Sequence, residues 1–186
     1  ADEPAPAHHS ADERARALGN VVFEAGRLEL VVGFCAKAIL APLAGGTRSQ
    51  LLANMQFSAQ GELVRGALDA APFTVLDGSL HGDFKAWWTE GAVPAMKKRN
   101  DIVHSALLFD TSGGMVGHSI KREKRAYEQQ LKTGVASVDQ MRMVLEDWHE
   151  AADDLRKQYD PGVALARRIS KVTASPSYVQ FTVLAS

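Results

Sequence analysis

Between Ser10 and Pro42 the chain carries one apolar series spaced in threes and fours: Leu18, Val21, Val22, Ala25, Leu28, Val32, Cys35, Ala36 and Ile39. That spacing puts the apolar side chains on one face of an α-helix and does not fit the period of two that a strand requires. Ser10 and Glu13 form a capping box at its start. Pro42, which has no N–H to donate, ends it. At 1.5 Å per residue, about 30 residues make a rod of roughly 45 Å. A helix with one apolar face is held in water by other elements covering that face, so this series commits the chain to packed helices. Gly19, Gly26 and Gly33 lie seven apart along it. They are either a seat for a second helix or a chance spacing.

The rest of the chain repeats the pattern. Thr47 and Gln50 read as a second capping box, and Leu51, Leu52, Met55, Leu63, Val64, Ala67 and Leu68 continue a helical face to about Ala70, with Gly61 expected to kink or split it. Pro72 and Asp77-Gly78 mark a loop. A third helix is expected from near Asp83, carrying Phe84, Trp87, Trp88, Met96, Ile102, Val103 and Leu107, with a kink or restart at Pro94. The two Trp residues read as core anchors. Thr111 to Gly114 is a turn cluster whose flanks, Leu107 to Asp110 and Met115 to Ile120, can pair as a short hairpin. Lys121 to Lys132 is basic and fits strand or helix equally. Ser137 and Gln140 form a third capping box, opening a helix with Met141, Val144, Leu145, Trp148 and Leu155 that Pro161-Gly162 should stop. Ala164 to Lys171 can add a turn or two.

The expected fold is therefore all-α: a four-to-five-helix up-and-down bundle with a short polar or β-hairpin insertion near 107-136. Residues 1–9 read as a flexible lead, 10–171 as the bundle domain, and 172–186 as a short, β-prone tail. A start at Ala1 is what processing or editing of a longer chain leaves.

Composition narrows the function. Lys plus Arg number 21 against 22 Asp plus Glu, for a net charge of −1, so the chain as a whole is not a strongly basic polyanion binder. The single cysteine, Cys35, excludes an internal disulfide and any multi-cysteine zinc site. It lies on the apolar face of the first helix and reads as a small buried hydrophobe. No apolar run approaches the roughly 18 residues a membrane span needs. Phosphate-loop, dinucleotide, zinc-protease and nucleophile-elbow motifs are absent. Glu146 and His149 have the spacing of a di-iron helix pair, but no second copy accompanies them. No metal or cofactor is expected.

Residues 97 to 105 read Lys-Lys-Arg-Asn-Asp-Ile-Val-His-Ser. Arg99 is followed after four residues by His104, with the polar Asn100 directly after the Arg. This resembles the signature of the HEPN superfamily, small helical bundles whose motif is an Arg, four to six residues, then a His, with Asn, Asp or His commonly following the Arg. A second pair, Arg142 and His149, has an allowed spacing, and about one such pair is expected by chance in this composition. Met143 rather than a polar residue follows Arg142, so the first pair is the better match.

The resemblance implies metal-independent RNA cleavage in a toxin or defence effector. His104 would act as general base or acid, because imidazole titrates near neutrality. Arg99 would hold the phosphate with its planar fork, and Asn100 would orient His104 or the substrate. Products would be a 2′,3′-cyclic phosphate and a 5′-hydroxyl. On a helix Asn100 and His104 share a face, whereas Arg99 and His104 lie about 140° apart, so one helix does not focus both on one point. The family's composite dimers imply a homodimer here, and its toxins imply an antitoxin or regulatory partner. From Lys97 to Lys132 eight basic residues outnumber four acidic ones. Lys97, Lys98, Lys121, Arg122, Lys124 and Arg125 are the candidate RNA contacts. A cytoplasmic location follows from the lone cysteine and the RNA reading, with export left open by the Ala-Pro lead. The alternatives are a non-catalytic bundle of this kind that binds a partner, and an unrelated bundle in which the motif is accidental.

Overall fold

In the computed structural model the described residues are 11–70, 72–104, 106–109, 115–118, 127–128, 131–132, 142–143, 145–176 and 178. The flexible lead, the Ser10 and Ser137 capping boxes and residues 179–186 lie outside them.

The fold is an all-α bundle with one small antiparallel sheet. Helices α1 (Ala11–Ile39), α2 (Gly45–Ala53), α3 (Phe57–Leu68), α4 (Phe73–Leu76) and α5 (Leu80–Ala86) come first, then a π-helical turn over Trp87–Ala92 and α6 (Val93–Val103). Strands β1 (Ala106–Phe109), β2 (Met115–His118) and β3 (Arg142–Met143) precede the last helix, α7 (Leu145–Thr173). The chain forms two compact units, one of residues 1–24 and 96–153, the other of residues 25–95 and 154–186.

Helix α1 matches its sequence pattern closely. Val21, Ala25, Leu28, Val32, Cys35, Ala36 and Ile39 are all buried. Acidic Asp12 and Glu13 at its start and Lys37 at its end suit the helix dipole. Leu18 is only half-buried and Val22 is exposed, because Ala17 and Val31 join the buried stripe instead. A Cβ at Gly19 or Gly26 would meet nothing within 4 Å, so among the described residues no helix approaches closely there.

In the first unit β1 and β2 form the expected hairpin, pairing Ala106 with His118 and Phe109 with Met115. Strand β3 adds to it through Gly117 with Met143 and His118 with Arg142. Two expectations fail here. Leu107 belongs to β1 rather than to a helix, and the last helix starts at Leu145, because Arg142 and Met143 are drawn into the sheet. Of the basic stretch 121–132, the described pairs 127–128 and 131–132 are helical. Met96, Ile102, Leu145, Trp148, Ala151 and Ala152 are buried in this unit.

The second unit is built around an aromatic cluster. Trp88 lies 4.9 Å from Phe57 and 6.2 Å from Phe84, ring centroid to ring centroid, and Phe84 lies 5.5 Å from Trp87. Each indole N–H finds an acceptor: Trp87 donates to the Gln158 carbonyl at 3.0 Å and Trp88 to Glu62 Oε1 at 3.0 Å. Both are core anchors, as their spacing predicts, and each buries roughly 150–250 Å² of side chain. Gly61 does not split the helix, since α3 runs unbroken from Phe57 to Leu68. Its missing Cβ makes room for the Trp88 ring, which a methyl group there would strike. The break instead falls at residues 54–56, where Gln60 Nε2 donates to the carbonyls of Leu52 (3.3 Å) and Met55 (3.0 Å) and so satisfies groups a helix end leaves open. Thr47 is not the N-cap residue, since α2 begins at Gly45 after Ala44.

The two prolines act differently. The third helix begins at Leu80, not near Asp83, gives way to the π turn over Trp87–Ala92 and restarts as α6 at Val93, one residue before Pro94. Pro94 removes one N–H and its ring crowds the carbonyl four residues back. The wider π turn just before it accommodates both effects. Pro161-Gly162, by contrast, fails to stop α7, which continues to Thr173. A Cβ on Gly162 would sit 2.6 Å from Trp87 Cζ2 and 2.7 Å from Val31 Cγ1, so glycine here permits close packing rather than a turn. Val172 closes the buried stripe of α7, and Tyr178 meets Phe73 edge-on at 5.3 Å. The start of the expected β-prone tail is thus helical and anchored.

Arg168 ties α7 to the 77–83 turn. Its Nε and Nη2 bond both oxygens of Asp77 at 2.9 and 2.7 Å, Nη1 reaches Asp83 at 2.7 Å, and Nη2 also donates to Ser79 at 2.8 Å. The Arg168 hydrogen bonds hold both carboxyls below the usual carboxylate range, with Ser79 adding to the effect.

Candidate functional site

Helix α6 carries the Arg–His motif. Ile102 is buried and anchors the last turn, while Arg99, Asn100 and Val103 are half-buried. His104 follows the last helical residue, its backbone N–H still bonded to the Asn100 carbonyl at 3.1 Å, and its side chain is exposed. The helical spacing of Asn100 and His104 is therefore kept, and the imidazole is exposed.

The side chain of Asn100 serves Arg99. Arg99 Nη1 donates to Asn100 Oδ1 at 2.8 Å. Adjacent positions bring the amide oxygen within reach of the guanidinium. Arg99 Nε is buried with no hydrogen-bond partner among the described residues.

The candidate RNA contacts divide three ways. Lys97 is exposed. Lys98 Nζ pairs with Glu150 Oε1 at 2.8 Å, which cancels its charge locally. Lys121, Arg122, Lys124 and Arg125 lie outside the described residues. Glu146 and His149 are exposed on α7. Among the described residues no three His, Cys, Asp or Glu side chains gather closely enough to hold a metal ion, and no helix is long and apolar enough to cross a membrane.

Cys35 is fully buried, and desolvation pushes its thiol up to about 12. Its thiolate is negligible at neutral pH, so it acts as the packed hydrophobe its position on α1 predicts.

A second feature lies outside the Arg–His motif. In the second unit, α1 and α7 border a groove of about 740 Å³ that Arg48 of α2 also lines. Leu30 and Phe34 stand in it, 61% and 56% exposed. The sequence holds one sign of this groove: both residues fall outside the apolar stripe that spacing assigns to the core of α1. No family model, curated protein or solved structure matches this chain.

Proposed function

We propose that this protein is a metal-independent endoribonuclease of the HEPN kind, acting as a toxin or defence effector. The observation that carries the reading is the end of α6: an Arg99 guanidinium steadied by Asn100 and, one turn on, a solvent-exposed His104. In this reading Arg99 binds the scissile phosphate and stabilises the added negative charge of the transition state. His104 takes the proton of the ribose 2′-hydroxyl as that oxygen attacks phosphorus. The P–O5′ bond breaks, and the leaving 5′-oxygen takes a proton from His104 of the second copy in a homodimer. The products are a 2′,3′-cyclic phosphate and a 5′-hydroxyl. An antitoxin or regulatory protein would hold the activity in check.

The test is a gel of mixed cellular RNA incubated with the protein in excess EDTA, beside His104→Ala and Arg99→Ala. Cleavage that survives EDTA and falls by about 100-fold or more in the His variant supports the proposal. A folded, dimeric wild type that leaves RNA intact overturns it.

The pairing of Lys98 with Glu150 favours a second reading. A charge neutralised within the unit serves packing rather than RNA. A non-catalytic bundle that binds a partner is the function that would remain.

A further inference from the structure

The groove between α1 and α7 has the volume of a small-molecule site. Its apolar lining is chiefly aliphatic, from Leu30, Val31, Ala38, Val163 and Ala166, with Phe34 beside them. Among the described residues four cations line it, Arg27, Lys37, Arg48 and Arg167, and no carboxylate does. An apolar surface bordered by a single sign of charge matches a ligand that is apolar along its body and anionic at its head.

Arg48 locates the head. It lies in the first turn of α2, where the helix dipole opposes a positive side chain. The N-cap residue Ala44 offers no side-chain bond to the open N–H groups of that turn. Arg48 Nε is buried and has no hydrogen-bond partner among the described residues. A buried donor without an acceptor calls for a specific explanation. A bound anion supplies one: it accepts from Nε, balances the charge and suits the helix N-terminus. Lys37, at the end of α1 nearest α2 in the chain, adds a second cation to the same lining.

Arg27 marks the other end. Its guanidinium lies over the Tyr159 ring, 3.8 Å from the centroid, and so covers the aromatic face on which a nucleic-acid base would stack. From Arg27 to Ala38 is about 16 Å of helix, a span that an extended dodecyl chain matches.

We propose that this groove binds an aliphatic amphiphile with a single carboxylate or phosphate head, the head at Arg48 and Lys37 and the chain along Leu30, Phe34 and Val163. None of Arg99, Asn100 and His104 lines the groove, so the proposal stands or falls independently of RNA cleavage.

Isothermal titration calorimetry of the whole protein tests it, with dodecanoate, dodecyl phosphate, dodecyltrimethylammonium and a single-stranded oligouridylate, the amphiphiles kept below micellar concentrations. The expected result is one-to-one binding of at least one anionic amphiphile, the tighter of the two identifying the head. The cationic amphiphile should bind at least tenfold more weakly. Arg48→Ala should weaken binding about tenfold, Ala166→Glu should abolish it, and Lys85→Ala, outside the groove, should leave it unchanged, with helical circular dichroism matching wild type in all three. Absence of anionic amphiphile binding, equal binding of the cationic one, unchanged affinity in Arg48→Ala, or displacement of dodecanoate by the oligouridylate would each overturn the proposal.

Discussion

The indole N–H of Trp87 bonds the carbonyl of Gln158 at 3.0 Å, three residues before Pro161 in α7. A proline inside a helix removes one N–H and forces carbonyls of the preceding turn away from their usual partners. An outside donor at that turn lets the helix continue where sequence rules alone would end it. Gly162 completes the arrangement by letting the Trp87 ring and Val31 come against the α7 backbone.

Gly162→Ala tests this packing. Alanine has the higher helix propensity by about 1 kcal/mol, so an exposed helical site would be stabilised. Here the new Cβ would lie 2.6 Å from Trp87 Cζ2, and overpacking of this kind costs about 1–3 kcal/mol. The thermal midpoint, followed by circular dichroism, should fall rather than rise.

Gly61→Ala should destabilise the same unit for the same reason, because the added methyl group strikes the Trp88 ring. The ring must shift away from Glu62, whose carboxyl is held low first by Arg65 and then by the Trp88 hydrogen bond. Altered tryptophan fluorescence together with a loss of about 1–3 kcal/mol in urea unfolding is the expected outcome. An unchanged emission spectrum with wild-type stability would refute it.

The Arg168 clamp makes stability depend on acid. Asp77 has its carboxyl held below the ordinary value of 3.8, chiefly by the Arg168 hydrogen bond. A lowered folded-state pKa contributes stability that is complete above the ordinary value and is lost as the pH falls through the folded one. Between pH 5 and pH 2, wild type should therefore lose more stability than Asp77→Asn, measured as the shift in urea midpoint. Parallel losses in the two proteins would remove Asp77 from the acid response.

Cys35 should resist alkylation. With its thiol raised to about 12 and its side chain buried, reaction with iodoacetamide at pH 8 should proceed only through unfolding. Mass spectrometry should find one slow adduct in native protein and rapid labelling in urea. Fast native labelling would contradict the burial of this face of α1.

If Arg99 binds phosphate, Asn100→Ala should lower RNA cleavage through loss of the 2.8 Å bond that steadies the guanidinium. The expected loss is about tenfold, smaller than that of Arg99→Ala, with stability close to wild type. Activity equal to wild type in Asn100→Ala would leave Asn100 without a part in positioning.

Legible in the residues alone were the helical class, most of the buried stripe from Val21 to Ile39, the two Trp anchors and the pairing of the strands at 106–109 and 115–118. Each of these follows from periodicity or turn chemistry within a short window, and local forces dominate there. The residues also set Asn100 and His104 on one face, with Arg99 turned away from His104, though only the structure shows that Asn100 bonds Arg99. Contacts between distant parts of the chain carry α7 through Pro161, make Gly61 and Gly162 seats for indole rings, and draw Arg142 and Met143 into a sheet. Tertiary structure alone brought Arg27, Lys37, Arg48 and Arg167 to one groove, from positions 27 to 167 of the chain. These outcomes depend on partners distant in sequence, whose packing and hydrogen bonds outweigh the local preference of a proline, a glycine or a capping residue.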